Sequence, residues 1–269
     1  MAKTRVAVGD CIIGGDKLAI IAGPCAVESR EVVFAAAETV AAVRDKFDIP
    51  VIFKASYAKA NRLSGNSFST IGIGKALSIL QDVKTKFDLP ILTDVHTVDE
   101  INMAADIADC LQIPAFLCRQ TDLVVAAAKT GLTVNIKKGQ FLAPEDMKPI
   151  AEKVTAAGNN KVLLTERGTS FGYRDLVVDF RGLVIMSGFG FPVVFDCTHS
   201  VQKPGASGGS SSGDRRFILP LARAAVAVGV DAIFVETHPD PASALSDREC
   251  QLPASELEKM VGELLRISR

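Results

Sequence analysis

Short apolar runs rich in β-branched residues recur along the chain, and between them apolar positions return every three or four residues. The runs are Leu18–Ala22, Val51–Lys54, Ile91–Val95, Cys110–Ile113, Thr133–Lys137, Val162–Glu166, Val193–Cys197 and Ala232–Glu236. Helical periodicity is clearest over Val32–Phe47, Gly74–Phe87, Asp122–Thr130 and Phe217–Val228. Gly131 and Gly229 stand just past two of these segments, where a helix ends most easily on a residue free to turn left-handed. Strand and helix in alternation predict parallel βαβ units, and eight units predict closure into a (β/α)8 TIM barrel, an α/β fold. An open doubly wound sheet is the rival, and eight repeats favour the barrel. Arg5–Val8 followed by Gly14-Gly15-Asp16 predicts a short hairpin within residues 1–17 that closes the barrel floor. The whole chain, 1–269, is expected to be one domain.

The polar residues are more informative than the apolar ones. Run after run ends in a chemically capable group: Cys25, Lys54, Asp94 with His96, Gln112, Lys137, Arg167, His199 and Glu236. In a closed barrel all these ends meet at one face, the face where such folds carry out chemistry. All three histidines of the chain, His96, His199 and His238, fall there. Polar residues also mark where any strand leaves a core, which accounts for one or two ends but poorly for eight. Lys54, Lys59, Arg62, Lys137 and Arg167 gather at or just beyond these ends. Lys54 and Lys137 directly terminate apolar runs, so solvated surface charge explains them badly. Together they predict a pocket for phosphate and carboxylate groups, with arginine giving forked contacts and lysine a point charge.

Bulk composition narrows the partners. A net charge of −1 gives no general reason to expect nucleic acid or a membrane surface, so a cation cluster must be local and suited to an anionic small molecule. No apolar run reaches the roughly 18 residues of a membrane span, and no signal-like stretch follows Met1–Arg5; a cytoplasmic protein is expected. The six cysteines have no paired spacing and are expected as buried free thiols, with any exception a ligand or nucleophile. Ile71-Gly72-Ile73-Gly74 lacks the third glycine and the preceding strand of a dinucleotide site. Gly205–Gly213 is polar and glycine-rich, and segment 200–215 is expected to be a flexible loop over the active face, although composition alone fits a plain loop equally. Cys25, His199, Glu236 and Asp247 are too far apart in sequence for spacing to define a metal site. Three of them follow runs one, seven and eight, which become neighbours on closure. A thiolate, an imidazole and two carboxylates would suit Zn, Fe, Mn or Co better than Mg or Ca, whereas a buried inert Cys25 is the plainer alternative.

Longer motifs carry a resemblance. Ile21-Ala22-Gly23-Pro24-Cys25-Ala26-Val27-Glu28-Ser29, Phe53–Arg62, Thr93-Asp94-Val95-His96, Gln112–Asp122, Asn135–Phe141, Thr165-Glu166-Arg167-Gly168, Asp196–Gln202, Glu236–Pro241 and Ser246-Asp247 resemble the 3-deoxy-D-manno-octulosonate-8-phosphate synthase family, in order and over nearly the whole chain. The resemblance implies condensation of phosphoenolpyruvate with arabinose 5-phosphate and water, for lipopolysaccharide biosynthesis. It also implies a homotetramer, with neither nucleic acid nor membrane as partner. The sister heptulosonate-phosphate synthases share the barrel, take erythrose 4-phosphate, and usually carry a Lys-Pro-Arg-Thr-type segment where this chain has Lys59-Ala60-Asn61-Arg62. That segment favours the octulosonate reaction; the heptulosonate reaction and an inactive phosphosugar-binding barrel are the alternatives.

Carried over by position, Lys54, Gln112, Lys137 and Arg167 match residues that hold phosphoenolpyruvate, and Lys59 matches one beside the reacting centre. Asn61 and Arg62, with Ser64 beside them, match the arabinose phosphate contact. Asp94 and His96 match polar residues lining the pocket, and Arg119 one that extends to a neighbouring subunit's sugar site. The resemblance therefore assigns catalysis to Lys59, Asp94, His96, Lys137 and His199. The family divides into a metal-free class with Asn at the position of Cys25 and a metal-dependent class with Cys there. Cys25, His199, Glu236 and Asp247 match the full ligand set for a divalent Mn, Fe, Zn or Co ion. Two departures fall beside the sugar-phosphate contact: Leu63-Ser64 where the family has Ser-Ser, and Ser67–Thr70 where it usually has Arg and Gly. A leucine offers only its backbone N–H there.

Overall fold

A computed structural model describes residues 4–60, 68–173, 175–204 and 212–268. The chain opens with an antiparallel hairpin, β1 (Val6–Val8) and β2 (Cys11–Ile13). There follow β3 (Ala19–Gly23), α1 (Arg30–Phe47), β4 (Val51–Lys54), α2 (Ile73–Phe87), β5 (Ile91–Asp94), α3 (Ile101–Ala105), β6 (Cys110–Ile113), α4 (Thr121–Lys129) and β7 (Thr133–Lys137). Next come α5 (Met147–Ala156), β8 (Val162–Glu166), a hairpin of β9 (Thr169–Gly172) and β10 (Asp175–Val177), α6 (Arg181–Ser187) and β11 (Val193–Asp196). The chain ends through β12 (Gln202–Lys203), β13 (Ser212–Gly213), α7 (Ile218–Val228), β14 (Ala232–His238), β15 (Leu252–Pro253) and α8 (Ala254–Ile267).

Strands β3, β4, β5, β6, β7, β8, β11 and β14 pair in parallel in that order, and β14 returns to β3 with Ala232 opposite Ala19 and Glu236 opposite Gly23. The predicted (β/α)8 barrel is thus closed, and the open sheet is excluded. The eight predicted runs match its strands to within two residues. The period of two in a strand then sorts every side chain. Ile20, Val51, Phe53, Leu111, Val134, Leu164, Phe195 and Ile233 face the helices and form the large outer core. Ile21, Ile52, Leu92, Cys110, Leu163, Val194 and Phe234 form a smaller inner core together with Val6, Val8, Cys11 and Ile13 of the hairpin. The hairpin closes the strand-start end as expected, and Thr133 there donates to the carbonyl of Ala7 at 2.6 Å.

Local signals shape the helices. Ser29 caps α1 by accepting from the backbone of Val32 at 3.2 Å, Glu31 sits in the first turn and Arg44 and Lys46 in the last, each complementing the helix dipole. The face Val33, Ala36, Ala37, Val40 is buried on the barrel. Gly229, at φ 101°, ends α7 in the left-handed conformation predicted for it. Helix α3 is only five residues long, and the β9–β10 hairpin has no counterpart in the sequence reading. Within segment 200–215, β12 and β13 pair with each other, and residues 205–211 lie outside the described residues.

Candidate active site

The same period of two that makes the barrel interior apolar at the bottom makes it polar at the top. Two residues beyond Ile52, Leu92, Cys110, Val194 and Phe234 stand Lys54, Asp94, Gln112, Asp196 and Glu236, all buried. Lys137 ends β7 in the same layer, and Arg167 follows β8. Above them lies a cavity of about 270 Å³ walled by Lys54, Lys59, Asp94, His96, Gln112, Lys137, Arg167 and His199. These eight were all singled out from sequence. Asn61, Arg62 and Ser64, like Leu63 and Ser67, lie outside the described residues. Arg119 is exposed and is not part of this cavity's wall.

Gly23 is what allows the top of β3 to approach β4. Its φ is 153°, and a Cβ there would lie 2.1 Å from the carbonyl oxygen of Lys54. Lys54 in turn donates to the carbonyl of Cys25 at 3.0 Å and pairs with Glu236 at 2.6 Å, both side chains wholly buried. Lys137 pairs with Asp196 and lies 3.9 Å above the ring of Phe234. Burial draws the Lys137 ammonium below its ordinary pKa despite Asp196 beside it. Lys59 donates to Ser56 at 2.8 Å, and Ser56 to Asp94 at 2.5 Å. Burial disfavours the Asp94 carboxylate, but the hydrogen bond with His96 and the charges of Lys59 and Lys54 outweigh it and hold its pKa well below the ordinary value.

Arg167 differs from the lysines. Among the described residues it has no carboxylate partner; its Nη2 donates to the neutral Gln202 at 2.9 Å, and its buried Nη1 has no hydrogen-bond partner. A desolvated guanidinium left in this state is costly unless an anion completes it. This is the clearest sign of an anion site in the fold. Gln112 is fixed from behind, its Oε1 accepting from Asn135 at 3.0 Å, whose own oxygen accepts from Thr165 at 2.6 Å.

Beside the cavity, ligand atoms of Cys25, Glu236 and Asp247 lie within 4.8 Å of one another. His199 Nε2 is 3.6 Å from Glu236 and 3.9 Å from Asp247. Asp196 accepts from the His199 backbone at 2.8 Å and meets its Nδ1 at 2.7 Å. With the proton on Nδ1, the unprotonated Nε2 lies within 4 Å of both carboxylates, an arrangement that suits a cation between them, although His199 is not in the compact group of Cys25, Glu236 and Asp247. Glu236 Oε2 is buried with no hydrogen-bond partner among the described residues. The Cys25 thiol donates to Ser246 at 3.0 Å and lies 3.2 Å from Asp247 Oδ2; burial and then the charge of Glu236 push its pKa well up. Asp247 takes a left-handed φ of 45°, a conformation aspartate tolerates better than most residues. The donor set fits a divalent ion with some thiolate affinity.

Sequence reasoning missed Asp196, Ser56, Glu100, Gln202 and Ser246 as parts of the site. Asp196 was legible in principle, because it stands two residues after the inward Val194, as Glu236 stands after Phe234. Ser56, Glu100 and Ser246 lie outside the strands and helices, and Gln202 lies in a two-residue strand, β12, so no period points to any of them.

Comparison with known proteins agrees with this geometry. Residues 2–266 match the family model described as the DAHP synthetase I family. A protein of Caulobacter vibrioides named 2-dehydro-3-deoxyphosphooctonate aldolase is 54% identical over 264 residues, 98% of this chain and 92% of its own. Proteins of the same name from Trichlorobacter lovleyi and Geobacter metallireducens are 51% and 50% identical, covering 97% and 98% of this chain and 96% and 97% of theirs.

Proposed function

Because the chain belongs to the DAHP synthetase I family, and within it lies beside relatives named 2-dehydro-3-deoxyphosphooctonate aldolase, we propose that it condenses phosphoenolpyruvate with arabinose 5-phosphate and water. The products are 3-deoxy-D-manno-octulosonate 8-phosphate, a precursor of lipopolysaccharide, and inorganic phosphate. The observation that supports this most is the buried Arg167, which has no carboxylate ion-pair partner among the described residues, sharing one cavity with Lys54, Lys59 and Lys137. A doubly anionic substrate supplies what that wall lacks.

In this reading Lys54, Gln112, Lys137 and Arg167 hold phosphoenolpyruvate by its carboxylate and phosphate, and Lys59 stands beside the reacting carbons. Asn61, Arg62 and Ser64 hold the sugar phosphate. Arg119, exposed on its own subunit, serves the site of a neighbour in a homotetramer working in the cytoplasm. Fixing the enol carbon against the aldehyde removes much of the entropic barrier. As the carbon–carbon bond forms, the aldehyde oxygen becomes an alkoxide, whose charge the lysines stabilise before it is protonated. Water adds at C2 of the former phosphoenolpyruvate, and the resulting hemiketal phosphate loses phosphate by C–O cleavage. Asp94 and His96 line the side of the cavity next to Lys59 and keep that lysine oriented through Ser56.

Cys25, His199, Glu236 and Asp247 would hold a divalent Mn, Fe, Zn or Co ion, and the support is the His199 nitrogen near both carboxylates, the buried Glu236 oxygen and the Cys25 thiol. When bound, such an ion supplies a Lewis-acidic centre able to orient water or the aldehyde.

The test is phosphate release from phosphoenolpyruvate with arabinose 5-phosphate or erythrose 4-phosphate, on untreated and on chelator-stripped protein. Release with arabinose 5-phosphate that vanishes on stripping and returns with one of the four metals is the expected result. Preference for erythrose 4-phosphate would move the assignment to the heptulosonate reaction. Activity surviving verified metal removal would keep the reaction and discard a catalytic metal.

A further inference from the structure

On the side of the cavity away from the metal-ligand cluster, His96 is enclosed by groups that its role as a wall residue does not explain. Its ring is 8% exposed and stands between two carboxylates: Nε2 lies 3.0 Å from Asp94 Oδ2, and Nδ1 lies 3.4 Å from Glu100 Oε2. Nδ1 is buried and has no hydrogen-bond partner among the described residues. Glu100 is itself fixed, its Oε2 accepting from Tyr57 Oη at 2.8 Å, from the His96 backbone at 3.1 Å and from the Thr97 backbone at 3.3 Å. Tyr57 packs edge-on against the imidazole with ring centroids 5.6 Å apart. The groups facing His96 are therefore Asp94 from the end of β5, Glu100 from the start of α3, and Tyr57 and Lys59 from the segment after β4.

A neutral imidazole carries one proton and one lone pair. A neutral ring protonated on Nδ1 would turn the Nε2 lone pair on Asp94, 3.0 Å away, and either neutral tautomer would leave the charges of Asp94 and Glu100 unopposed at 3.0 and 3.4 Å. The imidazolium donates to Asp94 and places a positive charge between the two carboxylates. It also balances charge locally, two carboxylates against Lys59 and His96.

We infer that Glu100 is a positioning residue, holding His96 as the imidazolium so that the anion pocket gains a further fixed positive charge beside Lys59. The inference rests on the anion-pocket reading above for its consequence in catalysis, but not for the state of the histidine. The pKa direction is consistent with it: burial works against the imidazolium, yet the hydrogen bond and charge of Asp94, and then the charge of Glu100, outweigh burial and raise His96 above its ordinary value. Glu100 remains a carboxylate, because burial is outweighed by the donors from Tyr57 and the backbone.

The decisive experiment is an NMR titration of the three histidine side chains in the substrate-free protein, wild type and E100Q, with His96 assigned by H96N. His96 should titrate above its ordinary value, with both ring nitrogens protonated in mildly acidic solution. In E100Q its midpoint should fall by about one unit or more, the usual effect of removing an opposite charge at this range. Y57F removes a donor from Glu100 but no charge, and should leave the midpoint within a few tenths of a unit. The basic limb of kcat/KM for phosphate release should move down with the midpoint, so that E100Q loses about tenfold above it and far less below. A wild-type His96 that titrates at or below its ordinary value would overturn the inference even if E100Q failed to fold. An unmoved midpoint in a folded E100Q would overturn it as well. If wild-type protein releases no phosphate, the proposed reaction fails while the titration still decides the role of Glu100.

Discussion

At the scale of single residues, Arg167 and Asp196 separate binding from stability. Replacing Arg167 by Met removes a buried charge that has no carboxylate ion-pair partner among the described residues. Loss of hydrogen bonds to a charged group should lower kcat/KM for phosphoenolpyruvate by roughly 10- to 100-fold. Stability in urea should be unchanged or higher, because the desolvated guanidinium is a cost to the fold in the absence of an anion. Loss of stability comparable to the loss of activity would mean that Arg167 is structural. Asp196 acts through His199. Asp196→Asn keeps the shape but no longer demands the proton on Nδ1, so metal affinity measured by chelator competition should fall about 10- to 100-fold. Gly23 is a different case, a residue chosen by what it lacks. Gly23→Ala puts a methyl group against the Lys54 carbonyl in a backbone region L-residues avoid, and should cost more than about 2 kcal/mol in denaturant titration while displacing Lys54.

At the scale of elements, the hairpin β1–β2 is a floor rather than part of the site. Ile13 is fully buried in the inner core, so Ile13→Ala should cost about 2–5 kcal/mol of stability with KM for both substrates unchanged in the folded fraction. A changed KM would mean that strain at the floor is transmitted to the top of the barrel. The elements also mark where sequence reasoning works. Parallel strands buried on both faces are continuous apolar runs, so the eight barrel strands were visible, and most of the polar residues at their ends were found with them. Helix α3, at five residues, is too short to develop a periodic face. The β9–β10 hairpin is largely exposed, and its burial pattern has no apolar run to detect. Glu100 and Gln202 support His96 and Arg167 from outside any apolar run, so no periodic signal marked them. Asp196 alone among the missed groups followed a rule that could have been applied, the inward parity set by Val194.

At the scale of the whole molecule, the site makes stability depend on pH from both sides. The pKa of Asp94 is depressed in the folded state, so its contribution is present above the unfolded value near 3.9 and is lost as pH falls through the folded value. His96 has the opposite sign: its pKa is raised, so its contribution is present below about 6.5 and is lost as pH rises through the folded value. Stability should therefore be greatest in weakly acidic solution between these windows. Asp94→Asn should flatten the acid limb in urea titrations at a series of pH values; an acid limb unchanged in that variant would assign it to other carboxylates.

The closure of the barrel has a consequence for how the protein is made. β14 pairs with β3, and Cys25 meets Asp247 across 222 residues of chain. A ribosome releases the first of these partners long before the last, so no nascent chain can assemble the cluster until α7 and β14 have emerged. Until then Cys25 lacks the partners it meets in the folded barrel. The cluster thus joins segments 222 residues apart in the chain, and any ion held there would be retained only once β14 has closed on β3.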